Sequence, residues 1–557
     1  MLLTREIYVR LRPKVFRPLR RATRALPLSY ELFYCFKEVI MLKSRNKNQT
    51  AWRFICILLA VTALLSCFML STANAADTTS QSDNTITSAK DIPGKKVGVQ
   101  LGTTGDDYVT EYEGDEKGTK IERYNKAADA IQSLKQQKID CVVIDEQTAK
   151  SFTEKNSDIK ILDEEFAKEQ YALCIKKGNK ELLDKLNNAI DELQADGTLS
   201  DIVTNYIGSA KEIGTKPYNE KNVDRKNGTL VVATNAQFKP YEYYEDGKIV
   251  GIDMDMMRAI CDKLGMELKI EDIEFDSIIT SVQSGKADVG AAGMSVTEDR
   301  KKNVDFSNFY AETRQVIVVR NTESGAAGIS FFEKLQQNFV DSSRWSYIVT
   351  GLGNTLLITL FAIIIGIVLG ALIAIVRTIH DQNHKLKILN FICKLYLTII
   401  RGTPAMIQLL IIYYVIFASV NIDKILVAVV AFGLNSAAYV AEVIRSGINS
   451  VDKGQFEAGR SLGLTYKQTM LSIILPQAFK NILPALCNEC ISLLKETAIS
   501  GYIGLTDLTK AGDIIRSQTF EAFIPLIAVA LIYLVIVMIL TVGVNKLERK
   551  LKNDNAR

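Results

Sequence analysis

The sequence predicts a two-part protein, an exported α/β region followed by an all-α membrane region with five spans. Between residues 91 and 320, short apolar strands alternate with helices, which is the pattern of an α/β domain. After residue 346, apolar stretches become long enough to cross about 30 Å of hydrocarbon. A basic and then apolar segment before residue 75 predicts that the α/β region is exported.

Length and composition narrow the functional class. The chain has 557 residues and a formal charge of +4, which gives no case for a nucleic-acid partner. Its nine cysteines follow no disulfide or zinc framework, so we predict neither a metal site nor a cofactor. Since no nucleophile with a supporting base stands out, we do not expect an enzyme.

The N-terminal residues predict export. Residues 1–40 are arginine-rich without a fold pattern, and we interpret them as an upstream extension before the start at Met41. Residues 41–75 form a signal peptide that ends in the cleavage site Ala73-Asn74-Ala75, and residues 76–90 are a polar linker. A lipid-modified Cys67 and an uncleaved anchor are the alternatives, and with either of them the α/β region is also exported.

The α/β region consists of two segments, residues 91–208 and 229–320, joined by a polar linker at 209–228. The pattern predicts strands at 96–100, 140–145, 171–176, 229–234, 268–270 and 315–320, and helices near 127–137, 182–195, 199–206, 256–264 and 275–284. The strand 96–100 runs into a Gly/Thr turn, whose free backbone N–H groups can bind an anion.

Two motifs in the second segment resemble those of the binding proteins of polar amino acid ABC importers. They are A-G-M-S-x-T-x-x-R, from Ala292 to Arg300, and D-F-S-x-x-Y, from Asp305 to Tyr310. The resemblance implies a bilobed periplasmic-type α/β binding domain for a polar amino acid. An α-amino acid needs a planar donor for its carboxylate, which Arg300 suits, and a carboxylate for its ammonium, which Asp145 suits.

The resemblance also implies the other ligand-binding positions. Ser295, Gly293, Thr103 and Thr104 add hydrogen bonds, and Phe238 and Phe275 form walls. The full predicted set is Gln100, Thr103, Thr104, Asp145, Asn235, Phe238, Phe275, Ala292, Gly293, Ser295 and Arg300. The alternatives are core packing for the two phenylalanines, a surface ion pair for the arginine and a helix cap for the aspartate. Because Asn235 and Gln100 are neutral, where the family's glutamine binders often carry charges, the preferred side chain stays open.

The segments stand in an unusual order. Residues 229–320 resemble the first part of the family's large lobe, residues 91–170 the small lobe, and residues 171–208 the returning part of the large lobe. This order indicates a circular permutation, opened at a hinge crossing, with the old ends joined by the linker at 209–228. A truncated duplicate before a half domain, and lobe exchange between two protomers, are the alternatives.

A linker at 321–345 leads to the membrane region, residues 346–557. We predict spans at 348–376, 394–418, 424–446, 478–500 and 522–545. An exported α/β region then places the basic loops 377–393 and 447–477 and the basic C-terminal tail in the cytoplasm, in agreement with the positive-inside rule. The expected location is the cell membrane, with several spans in lipid and the binding domain outside.

The loop at 447–477 carries a second resemblance. The EAA loop of ABC importer permeases is resembled by Glu457, Ala458, Gly459 and Gly463, followed by Ile473-Ile474-Leu475-Pro476. A second permease motif is resembled by Arg401-Gly402-Thr403-Pro404. The family's loop docks on a cytoplasmic ABC ATPase subunit. The chain has no G-x-x-x-x-G-K-[ST] phosphate loop, so we expect a separate ATPase.

Together these features predict a fused substrate-binding and permease subunit that imports a polar amino acid. One five-span bundle is half a pore, which predicts a homodimer of the permease domain. The alternative is a ligand-gated amino-acid receptor channel, which would need a re-entrant pore loop in place of the EAA loop.

Overall fold

The computed structural model describes residues 86–321, 330–418, 420, 422–521 and 523–553. The predicted extension and signal peptide, residues 1–75, lie outside these ranges. Residues 86–557 form one unit, with an α/β part up to Arg320 and a helical part after it.

A mixed sheet of eight strands organises the α/β part, in the order β2-β1-β3-β11-β4-β10-β5-β9. These strands are β1 Lys96–Gln100, β2 Lys120–Tyr124, β3 Cys141–Asp145, β4 Ile159–Lys176, β5 Thr229–Thr234, β9 Glu267–Asp272, β10 Val289–Gly290 and β11 Val304–Arg320. A small antiparallel sheet contains β6 Gln237–Phe238, β7 Glu242–Glu245 and β8 Lys248–Val250.

The large sheet divides into two lobes with the same internal order. The small lobe contains β2-β1-β3 and the large lobe contains β9-β5-β10, and each set is parallel. The antiparallel strands β4 and β11, of 18 and 17 residues, run through both lobes and connect them. Parallel strands need helical crossovers, which cover the sheet faces.

The helices of the α/β part follow the strands in the chain. They are α1 Thr104–Thr110, α2 Ala127–Lys135, α3 Glu146–Lys155, α4 Lys180–Ala195, α5 Thr198–Tyr206, α6 Ile252–Leu264, α7 Ile278–Ser284 and α8 Glu298–Lys301. Separate apolar cores lie in the two lobes. Val142 and Leu134 are buried in the small lobe, and Ile190 and Met256 in the large lobe. The parallel ends of β1, β3, β5 and β10 meet at the cleft between these lobes.

The helical part contains α9 Phe331–Leu335, α10 Trp345–Asn383, α11 Lys387–Gly402, α12 Ala405–Ile411, α13 Lys424–Asn449, α14 Lys453–Ser461, α15 Tyr466–Thr469, α16 Leu475–Glu496, α17 Leu508–Thr519 and α18 Phe523–Asn553. Within the described residues, four helical stretches are long and apolar enough to cross a membrane, at Trp345–Asp381, Lys424–Asn449, Tyr466–Ile503 and Phe523–Leu551. A fifth exists only if the bent pair α11 and α12 counts as one span.

This bent pair differs from the predicted second span at 394–418. The chain turns by 111° between Lys387–Gly402 and the following helix, which continues to Ile416. Pro404 stands at the turn and has no backbone N–H to donate to the preceding turn of helix. The apolar composition therefore identified the segment, which the structure forms as two helices bent at Pro404.

Candidate ligand-binding site

A cavity lies between the two lobes and is lined by all eleven residues predicted from the sequence. These are Gln100, Thr103, Thr104, Asp145, Asn235, Phe238, Phe275, Ala292, Gly293, Ser295 and Arg300. Val143, Ile144, Tyr171 and Gln315 complete the lining. The closed lobes leave a volume of about 30 Å³, which is room for about two water molecules. The lobes therefore have to separate to admit a molecule as large as an amino acid.

Arg300 spans the cleft from the large lobe. Its Nη1 donates to the carbonyl of Ser295 at 2.7 Å, and its Nη2 donates to the carbonyl of Gly102 in the small lobe at 2.8 Å. The guanidinium lies 5.7 Å from the centre of the Phe275 ring. The side chain is only 8% exposed, and burial lowers its pKa, opposed by the carboxylate of Asp107. A surface ion pair, the alternative for this residue, does not describe such a position.

Asp145 faces the same cavity at the end of β3 and is 1% exposed. Its Oδ1 accepts from the backbone N–H groups of Gln147 and Thr148 at 2.9 and 3.0 Å, so it is the N-cap of α3. Its Oδ2 accepts from the Tyr171 hydroxyl at 2.9 Å and from the Thr313 hydroxyl. Burial raises the pKa of the Asp145 carboxyl, and these hydrogen bonds act in the opposite direction. Asp145 therefore caps α3 and lines the cavity at the same time.

Gly293 forms the floor of the cleft. Its φ is +50°, and a Cβ at this position would lie 2.6 Å from Cε1 of Phe238 and 3.1 Å from Cε2 of Tyr171. Its N–H donates to Oδ2 of the buried Asp253 at 2.8 Å. A side chain would therefore displace both aromatic rings that border the cavity, so glycine is required here.

The hydroxyls of Thr104 and Ser295 lie 3.4 Å apart across the cleft. The Ser295 hydroxyl also donates to Glu169 at 2.9 Å, and the same carboxylate oxygen accepts from Gln315 at 3.0 Å. Glu169 and Gln315 stand on the two connecting strands β4 and β11. The connection between the lobes is therefore hydrogen-bonded to a hydroxyl that lines the cavity.

The sequence interpretation missed Val143 and Ile144, which directly precede Asp145 on β3, and it also missed Tyr171 and Gln315. Tyr171 and Gln315 lie on the long connecting strands, outside the local motifs. The one available signal was the position of Tyr171 at the start of an apolar run, which indicates burial but not which cavity the ring borders.

The predicted coupling loop consists of α14, a tight turn and α15. Glu457 and Ala458 are exposed, whereas Gly459 is buried against Thr469. A Cβ on Gly459 would lie 2.7 Å from Cγ2 of Thr469, so the packing leaves no room for a side chain. Gly463 has a φ of +82° and ends the first helix. Thr465 caps the second helix, with its Oγ1 accepting from the N–H of Gln468 at 3.3 Å.

The family model of bacterial extracellular solute-binding proteins, family 3, matches residues 107–209 and 230–525, more than half of the chain. The arginine transport system permease protein ArtQ of Bacillus subtilis (strain 168) is 43% identical over 211 residues, which are 38% of this chain and 94% of that protein. The L-cystine transport system permease protein TcyB of the same strain is 35% identical over 216 residues, which are 38% of this chain and 90% of that protein.

Two solved structures are similar in sequence over parts of the chain. An amino acid ABC transporter with histidines is 40% identical and covers 40% of this chain and 99% of its own, with a TM-score of 0.37. An ancestral arginine-binding protein bound to glutamine is 51% identical over 14% of this chain and 36% of its own, with a TM-score of 0.14. The predicted combination of an α/β binding part and a helical permease part is confirmed by the family model and the permease relatives. The chain therefore belongs to the bacterial extracellular solute-binding proteins of family 3 and, in the same polypeptide, to the permeases of polar amino acid ABC importers.

Proposed function

We propose that this importer subunit captures a polar amino acid in the cleft and passes it through its own permease part, driven by a separate ATPase. The observation that carries the proposal is the pair Arg300 and Asp145, two buried groups of opposite charge that line one cavity between the lobes. A zwitterionic α-amino acid presents a matching pair of charges. Ligand binding then favours the closed lobes, because only the closed cleft brings both groups to the ligand.

The residues around these two charges support a polar side chain on the ligand. The hydroxyls of Thr103, Thr104 and Ser295 would assist Arg300 with the carboxylate, and Phe238 would cover the ligand's aliphatic part. Asn235 and Gln100 offer neutral amide groups, which suit a side chain that donates and accepts hydrogen bonds. Arginine, glutamine and cystine, the amino acids in the descriptions of the similar proteins, are therefore the first ligands to test.

The test is a binding screen of the purified full-length chain against the twenty common amino acids and cystine, by thermal shift and then calorimetry. We expect binding of one or a few polar amino acids, and a loss of about 100-fold or more in affinity in Arg300→Ala, since a buried carboxylate would be left unpaired. Lys301→Ala is the matched control, because Lys301 is exposed and pairs with Glu298. Equal affinity in Arg300→Ala and wild type would refute the carboxylate assignment.

The loop at α14 and α15 is the proposed ATPase contact. Leu462, at the turn of this loop, is 81% exposed, which is unusual for a leucine. Together with the exposed Glu457 and Ala458 it offers a surface for a partner protein. We expect Leu462→Glu to reduce association with the ATPase subunit in a pull-down, with Lys248→Ala, an exposed residue on β8 of the binding part, as the control. Undiminished association in Leu462→Glu would contradict this contact.

The position of α13 supports the proposal that the binding part and the ATPase contact lie on opposite sides of the membrane. At its first residue, Lys424 pairs with Glu271 of the large lobe, and after its last residue, Asn449, the chain enters the loop of α14. Its 26 residues correspond to about 39 Å of helix, enough to cross the bilayer. We therefore propose that the binding part lies outside the cell and that the loop of α14 and the C-terminus lie in the cytoplasm. The proposed homodimer of the permease rests separately on the argument that one bundle of spans is half a pore.

The order of the strands supports the circular permutation. From residue 86, the described chain runs through the small lobe, passes through β4 into the large lobe, and returns through β11 to the small lobe. The linker at 209–228 joins α5 to β5 at the point where a non-permuted chain would have its ends. Because the resemblance to ABC permeases extends through the membrane part, a ligand-gated channel is not favoured.

A further inference from the structure

Helix α17 of the permease part contacts both lobes of the cleft through charged side chains. Lys510 Nζ lies 3.1 Å from Asp272 Oδ2 in the large lobe. Arg516 forms an ion pair with Asp129 of the small lobe. Asp513, between them, pairs with Lys126 of the small lobe. One helix of the permease part is therefore bound to both sides of the cleft.

Lys510 is the most enclosed of these charges. Its side chain is 2% exposed, and a second carboxylate, that of Glu274, lies 3.8 Å from Nζ. Burial opposes its charge, but Asp272 and Glu274 outweigh this effect and raise the pKa of Lys510 above its ordinary value. Without the ammonium, two carboxylates would remain close together away from water, which is unfavourable.

The carboxylate that binds Lys510 also holds a turn that lines the ligand cavity. Asp272 Oδ1 accepts from the backbone N–H of Ala236 at 3.0 Å, and Oδ2 accepts from the Tyr244 hydroxyl at 3.2 Å. Ala236 follows Asn235, whose Nδ2 donates to the carbonyl of Ile273 at 2.8 Å. One buried carboxylate thus joins the permease lysine to the backbone next to a cavity residue.

We propose that Lys510 is a positioning residue for the ligand site and holds the Asn235 turn in its binding conformation through Asp272. Movement of α17 during the transport cycle then withdraws the ammonium, frees Asp272 and loosens the Asn235 side of the cleft. This route to ligand release rests on the proposed import function. It makes ligand affinity depend on a residue outside the binding part.

A neighbouring ion pair provides a matched control. Lys424 of α13 pairs with Glu271, which precedes Asp272 on β9 and also binds Lys269 at 3.0 Å. Successive strand residues point to opposite faces, so Glu271 lies on the face away from the Ala236 N–H. Loss of Lys424 removes a similar contact between permease and large lobe without releasing Asp272.

The experiment uses the full-length chain with its ATPase subunit in nanodiscs, titrated with L-arginine and L-glutamine by calorimetry. We expect Lys510→Met to weaken binding about fivefold or more, a typical coupling between sites, and Lys424→Met to leave it within about twofold. Lys510→Arg should restore most of the affinity because it keeps the charge. In an Asp272→Asn background, Lys510→Met should have little further effect.

The outcomes separate this proposal from the proposed function. Equal affinities in Lys510→Met and Lys424→Met, or the same loss from Lys510→Met with and without Asp272, would overturn the positioning role while import stands. A wild-type chain that binds neither cystine nor any of the twenty common amino acids would overturn the import function and this role with it. Lys510→Gln serves as a second variant if Lys510→Met does not fold, and the same comparison with Lys424→Met applies to it.

Discussion

Replacement of Asp145 by asparagine tests the proposed ligand chemistry most directly. The side-chain Oδ1 of asparagine can still accept from the N–H groups of Gln147 and Thr148, so the cap of α3 is kept. The amide nitrogen then faces the hydroxyls of Tyr171 and Thr313, which can rotate to accept from it. The fold should therefore tolerate the change.

Ligand affinity, by contrast, should fall strongly in Asp145→Asn. Breaking a buried ion pair by removing one partner costs about 3–5 kcal/mol, which is about 100-fold to 5,000-fold in Kd. The pH profile adds a second readout. Because burial raises the pKa of Asp145, ligand affinity of the wild type should fall as the pH drops through that raised pKa, whereas the asparagine variant should lack this component.

The assay is calorimetry of the full-length chain with L-arginine and L-glutamine at several pH values, with melting curves for each variant. Glu154→Gln, on the exposed side of α3, is the matched control. An Asp145→Asn chain that melts like wild type and binds within about fivefold of it would refute the assignment of the ammonium to Asp145.

Three further predictions concern positions around the site and the loop. Gly293→Ala should lower ligand affinity and the melting temperature, because its Cβ would lie 2.6 Å from Phe238 and the φ of +50° is strained for alanine, typically by about 1–3 kcal/mol; an unchanged melting curve would contradict this. Burial raises the pKa of Asp253 to about 7, so the folded state binds more protons than the unfolded state between about pH 4 and 7. This carboxyl therefore lowers stability as the pH rises through that range, and Asp253→Asn should flatten the dependence of melting temperature on pH. Gly459→Ala should reduce ATPase activity of the assembled complex, since a Cβ would lie 2.7 Å from Thr469, while ligand affinity should not change.

The local chemistry of the cleft was predictable because each predicted ligand residue stands in a short motif at the end of a strand. Arg300 follows a Gly-rich turn, and Asp145 ends a strand of five buried residues, of which the other four are apolar. Parallel strands bring such ends to one edge of a sheet, so residues far apart in sequence meet there. What the motifs do not specify is how closely the two lobes approach each other.

The connecting strands β4 and β11 show why the other cavity residues and the full length of these strands were not predictable. The sequence predicted strands at 171–176 and 315–320, whereas β4 begins at Ile159 and β11 at Val304. The missed halves cross between the lobes, where many side chains are exposed and charged, as in Asp163-Glu164-Glu165. Apolar patterning marks only the portion buried in a lobe, so cavity residues outside the motifs, such as Gln315, have no local signal.

The path of the chain affects which lobe can leave the permease. Arg320, at the end of β11, pairs with Ile159 in the small lobe, and the chain continues from there into the membrane part. The chain thus leaves the α/β part from the small lobe, which also pairs with Arg516 and Asp513, whereas Lys510 and Lys424 pair with the large lobe. Opening the cleft needs one lobe to move relative to α17, and a movement of the large lobe breaks the Lys510 and Lys424 pairs while the small lobe keeps its own pairs with α17. Under the proposed positioning role, that separation also releases the Asn235 turn, so the same ion pair that supports tight binding has to break in every transport cycle.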